Sequence, residues 1–274
     1  SGSTATISET LTNTTNAPIS VTYVYTITAN GCSATNSVVV VVNPTPTVNS
    51  VTNQTLCNNA TTNAVTFAST FNVSGTTYAW TNNTTSIGLA ASGTGNIAAF
   101  TATNISNAPV TATVTVTPSA NGCAGIPQTF TITVNPTPVV SDPLDQVRCN
   151  QAQIAAINFI GNGTSYQWTN STQSIGLGTN GTGNILPITA INNTTTPVVA
   201  NLAVTPIYAG SGATCPGTAQ NFTITVNPTP SVTVNNVTIC NGQTATLTAT
   251  PTVPGGTYNW SNGSNRCFSH TICW

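Results

Sequence analysis

The chain is 274 residues long, room for two or three domains of ordinary size, and only five residues carry formal charge: Glu9, Asp142, Asp145, Arg148 and Arg266. Ordinary globular chains are about 25% charged, so Thr, Asn and Ser must cover this surface. With no Lys and two isolated Arg, partnership with nucleic acid or an anionic membrane surface is excluded, because both need clustered basic side chains.

The chain opens in Ser1-Gly2-Ser3-Thr4, with no basic or apolar leader, so an export signal is expected to have lain upstream or to have been removed. Val21 to Thr28 alternates polar and apolar residues, the mark of a half-buried strand. Val38 to Val42 is the longest clear apolar run and falls far short of a membrane helix, so no membrane insertion is expected. Val42-Asn43-Pro44-Thr45-Pro46 then recurs at Val134 to Pro138 and Val226 to Pro230, a step of 92 residues each time.

Further features keep this beat. Cys57, Cys149 and Cys240 follow Pro-Thr-Pro, while Cys32, Cys123 and Cys215 lie in or just after Gly-containing turns. Tyr78-Ala79-Trp80 returns as Tyr166-Gln167-Trp168 and Tyr258-Asn259-Trp260, and Ser86 to Leu89 with Gly93 to Ile97 returns as Ser174 to Leu177 with Gly181 to Ile185. A deletion before Trp168 is made good after Ile185, as loop variation on one scaffold. Thr111 to Thr117, Thr129 to Val134 and Asn221 to Val226 alternate with Thr toward water and Val, Ile or Phe toward a core, and no helical signal is found.

Seven or eight such strands per 92 residues predict an all-β chain of tandem immunoglobulin-like sandwiches. The boundaries read as the C-terminal half of a repeat over 1–45, complete repeats over 46–137 and 138–229, and the N-terminal part of another over 230–274, a window in a longer array. Pro-Thr-Pro makes a stiff connector, so an extended rod is expected. Residues 265–274 match nothing else in the chain.

Eight cysteines without zinc-finger spacing point to disulfides and an oxidising, extracytoplasmic location. Cys57 with Cys123 and Cys149 with Cys215 are the expected pairs, each closing a 66-residue loop and contributing about 4 kcal/mol through the unfolded chain. Trp80, Trp168 and Trp260 are read as plugs of the sandwich core, with exposed sugar platforms as the competing role.

Catalysis is not expected. Acid–base and nucleophilic chemistry need a positioned His or carboxylate with a partner, and neither complete repeat has a His. Calcium needs several carboxylates, more than Asp142 and Asp145 supply; Cys240, Cys267, His270 and Cys273 have zinc-ligand types but sit in an oxidising context. No cofactor or metal is expected. Gly93-x-Gly95 and Gly181-x-Gly183 read as turns and not as phosphate cradles. Without Lys to guard them, sheet edges must be covered by Pro, bulges or neighbouring chains, which leaves a self-assembling fibre open. A carbohydrate-binding spacer of a secreted enzyme is a further alternative.

The combination of Val-Asn-Pro-Thr-Pro, Tyr-x-Trp, Ser-Ile-Gly-Leu with Gly-Thr-Gly-Asn-Ile, and Asn-Gly-Cys resembles the PKD-like repeats of very large cell-surface proteins of the Bacteroidetes, such as the SprB-type gliding adhesins of flavobacteria. The resemblance covers residues 1 to about 263. It implies β-sandwich repeats on the bacterial outer surface, a part in adhesion or gliding motility, and export by the type IX secretion system. Expected partners are neighbouring repeats of the same chain, surface polysaccharide and other copies of the chain.

Overall fold

The structure is a computed structural model that describes residues 6–210 and 212–258. It is all-β apart from two 3-10 turns, Thr85–Ile87 and Gln173–Ile175. Residues 6–45 contribute β1 (Ile19–Ala29) and β2 (Cys32–Val42). The first complete repeat holds β3 (Gln54–Cys57), β4 (Thr77–Asn82), β5 (Ser92–Thr94), β6 (Val110–Ala120), β7 (Cys123–Ala124) and β8 (Gln128–Asn135). The second holds β9 (Gln146–Cys149), β10 (Gln153–Ile154), β11 (Ser165–Asn170), β12 (Asn180–Thr182), β13 (Ile188–Thr189), β14 (Val198–Gly210), β15 (Ala213–Pro216) and β16 (Gln220–Asn227). Last come β17 (Val232–Val234) and β18 (Ala249–Pro251).

The chain divides into two compact units, one of Ser1–Thr137 with Gly210–Cys215, the other of Pro138–Ala209 with Pro216–Trp274. In the first, a sheet runs in the order β3-β8-β6-β4-β5, with β7 paired to β6. All its neighbours are antiparallel except β3, which lies parallel to β8. The second unit repeats the plan as β9-β16-β14-β11-β12, with β9 parallel to β16.

Period two decides the core. Along β6 and β8, Ala112, Val114, Val116, Phe130, Ile132 and Val134 point inward and are buried, while the intervening threonines face out and pair across strands, as Thr111 Oγ1 does with Thr133 Oγ1 at 2.9 Å. The covering layer supplies Val65, Phe67, Ile87 and Ile97. Its backbone is joined by single bridges, Thr61 to Thr101 and Val65 to Ile97. The first complete repeat therefore has six regular strands where seven or eight were expected, and the second has eight. Ala200, Leu202, Val204, Phe222, Ile224 and Val226 rebuild the same core beneath Ile154, Ile157, Phe159, Ile175 and Ile185.

Sheet edges are blunted by length. The outer strands β3 and β9 have four residues each, and β5 and β12 three each, too short to template a neighbour's pairing.

Candidate functional site

Each copy of Val-Asn-Pro-Thr-Pro ends a last strand, because Pro removes the donor that would continue the ladder. The Asn just before it does a second job. Asn43 Nδ2 donates to Asn121 O at 3.0 Å, and Asn135 Nδ2 donates to Ala213 O at 3.3 Å. In both cases the accepting carbonyl lies two residues ahead of a hairpin cysteine, Cys123 or Cys215. Asn135 is itself almost fully buried. A Cβ at Gly210 would meet its side chain at 2.8–3.1 Å and push on the amide that makes this bond.

Two hairpin tips share one build. Asn30-Gly31 and Asn121-Gly122 both have positive φ, 52° and 77° in one and 50° and 79° in the other, the backbone of a tight two-residue hairpin turn. The strands of the β14–β15 hairpin are longer, 13 and 4 residues against 11 and 2 for β6 and β7, and this is where the deletion before Trp168 is made good.

Cys57 lies opposite Asn135 in the β3–β8 register and is bonded to Cys215, with Cα atoms 5.5 Å apart. The pairing expected within a repeat, Cys57 with Cys123, is therefore overturned. Parallel pairing carries Cys57 to the far end of β8, whereas Cys123 precedes its near end. The eight residues of β8 alone span about 25 Å, and a disulfide needs Cα atoms within about 7 Å. The same register sets Cys149 opposite Asn227, away from Cys215, which removes the second expected pair. Cys32, Cys123, Cys149 and Cys240 are free thiols. Cys267, His270 and Cys273 lie outside the described residues.

Trp80 and Trp168 are each 8% exposed and sit in the two cores, so neither presents a free face to a ligand. Trp80 faces Gly93 across β4 and β5, and Trp168 faces Gly181 across β11 and β12. A Cβ on either glycine would overlap the indole. Gly93 and Gly181 are thus strand residues under a Trp, and only Gly95 and Gly183, at φ 71°, make the turn. Trp260 lies outside the described residues.

Asp145 Oδ1 accepts the Thr223 N–H, as Asn53 Oδ1 accepts that of Thr131 in the other repeat, so this carboxylate holds a strand end. Among the described residues no three His, Cys, Asp or Glu gather into a metal-binding group.

Sequence reasoning passed over a set of asparagines. Asn104 Nδ2 donates to Ala108 O and Val134 O, at 2.8 and 2.7 Å, while its Oδ1 accepts from the N–H and hydroxyl of Ser106. Asn192 makes the same four bonds with Thr196, Val226 and Thr194, and Asn13 with Ala17, Val42 and Thr15. Both donors and two acceptor sites of each amide are used, and Asn104 and Asn192 are buried. The signal was present as an Asn-x-Ser/Thr at Asn13, Asn104 and Asn192, recurring 91 and then 88 residues apart.

Residues 54–138 match the PKD-like domain family, a span that runs from the first residue of β3 to the Pro that closes Val-Asn-Pro-Thr-Pro. No curated protein sequence matches the chain. Among solved structures it is similar to a chain in the complex of Dpr11 IG1 with DIP-gamma IG+IG2, at 10% identity and TM-score 0.35 over 67% of this chain and 100% of that one. It is also similar to human mucin-like protocadherin EC1-2 (10%, 0.32, 67% and 98%) and to mouse cadherin-23 EC22-24 (8%, 0.32, 77% and 74%). The chain is all-β, and within it residues 54–138 match the PKD-like domain while the following repeat is built on the same sheet plan.

Proposed function

We propose that the chain is a non-catalytic structural and adhesive stalk segment of a large secreted bacterial cell-surface protein, serving surface adhesion or gliding. The observation that carries this reading is the reuse of one sandwich whose chemically distinctive side chains are spent on architecture. The Trp residues fill cores, Asp145 holds a strand end, and the buried Asn amides knot loops. The Cys57–Cys215 disulfide supports an extracytoplasmic setting. Adhesion by such a segment works through many weak contacts, multiplied by repeat number.

Beads coated with the purified chain, as one copy or as tandem fusions, test this under flow over glass and polysaccharide films. Retention should exceed that of uncoated beads and rise with copy number. Baseline retention on every surface at every copy number would overturn the proposal.

A further inference from the structure

On the first complete repeat an open groove of about 420 Å³ lies between the segment that leads into β3 and the covering layer, and a second of about 380 Å³ continues it along β3. The two share Asn53, Gln54 and Asn63. Gln54 sets the distance between the walls, because its Nε2 donates to Asn63 O at 3.0 Å and its Oε1 accepts the Asn63 N–H at 2.9 Å. Asn53 Oδ1 accepts the Thr131 N–H at 2.8 Å, and Asn49 Oδ1 accepts the Thr70 N–H at 3.1 Å. A backbone N–H can only donate, so in both amides the oxygen faces the backbone and the NH2 group is left for a ligand. Asn63 is exposed and meets Gln54 through its main chain, which leaves its own amide unspent.

We propose that this groove binds neutral polysaccharide. The inference rests on the adhesive reading and gives it a site. Every lining side chain is uncharged, so an ionic ligand would shed its water with no counter-charge to replace it, and an apolar ligand would strand the amide donors. A sugar ring suits both demands: its hydroxyls meet the amides, and its C–H face covers the half-buried Val51 and the exposed Ala64 in the same lining. The volume is that of an ordinary ligand site, and the continuation along β3 admits a chain of rings. Binding through exposed amides is weak for one groove, which is the regime in which repetition multiplies adhesion.

The second repeat supplies a natural comparison. Ser141, Asp142, Asp145 and Ala155 stand 92 residues on from Asn49, Ser50, Asn53 and Asn63. Asp145 Oδ1 holds the Thr223 N–H as Asn53 Oδ1 holds that of Thr131. A carboxylate therefore keeps the strand end at this place but offers no donor, and alanine at the other place offers no amide. The site belongs to the first repeat.

Biolayer interferometry of the intact chain over tips coated with dextran, mannan, laminarin or agarose tests this, with alginate as the anionic comparison. A concentration-dependent response is expected on at least one neutral polymer and none on alginate. Asn53→Asp with Asn63→Ala, which writes the residues of the second repeat into the first, should weaken binding about five-fold or more at an unchanged melting temperature. Asn63→Ala alone, which removes no side-chain bond of the fold, should already weaken it. Silence on all four neutral polymers, an undiminished response in either variant, or a response on alginate alone would overturn the proposal. Bead retention under flow that persists beside a silent groove would remove this site and leave the adhesive reading standing.

Discussion

Cys57 and Asn135 face one another across the parallel pairing of β3 with β8, and the Asn135 amide grips the hairpin two residues ahead of the cysteine to which Cys57 is bonded. Side-chain amide and disulfide thus act on one point: the first brings Cys215 into place and the second fixes it there. The same amide lies against Gly210, where an added Cβ would meet it at 2.8–3.1 Å.

Replacing Cys57 or Cys215 with Ser should lower stability by about 2–5 kcal/mol, because the bridge closes a span of 158 residues and long loops restrict the unfolded chain most. Denaturant unfolding without reductant measures it. Cys123→Ser and Cys149→Ser, which break no bond in the monomer, should leave the midpoint within about 0.5 kcal/mol of the parent.

Trp80→Phe should cost less than about 1.5 kcal/mol and Trp80→Ala about 3–5 kcal/mol. The indole Nε1–H is buried without a hydrogen-bond partner, as is that of Trp168, so the ring's volume matters and its polar atom does not. Gly93→Ala should cost about 1–3 kcal/mol by forcing the indole aside. Thermal unfolding of the three variants checks the order.

How far the fold was legible turns on such particulars. Alternation along Thr129 to Val134 shows which residues enter the core, and it is what the structure bears out in β8. The cysteine beat was equally plain, but a separation of 66 within a repeat and one of 158 reaching into the next both fit it. Only the parallel register of β3 on β8 decides between them, and period-two patterning carries no information on strand direction. The Asn104 and Asn192 knots were hidden for another reason: Asn between strands reads as a turn former, and its burial depends on a strand end some thirty residues away.

Asn104→Ala and Asn104→Asp should both destabilise, by about 2–4 kcal/mol. Alanine abandons Ala108 O and Val134 O, while a carboxylate turns an acceptor toward them. Comparable losses at Asn192, read as denaturant midpoints, would show the knot to be a property of the repeat; a neutral Asn104→Asp would refute the donor assignment.

Stability should be nearly flat between about pH 5 and 8 and insensitive to salt, because three carboxylates and two arginines are all the formally charged side chains that 274 residues carry, and there is a single histidine to change charge inside that range. A melting temperature that moves by more than a few degrees across either series would contradict this.

Tension applied to the two ends of the chain meets the Cys57–Cys215 bond as a shortcut. The backbone between those residues, roughly 500–570 Å when drawn out, is withheld from extension while the bond lasts. Pulled singly, an oxidised molecule should come taut early, and a reduced one should release that hidden length in addition, so that the redox state of one sulfur pair decides how far the chain yields under load.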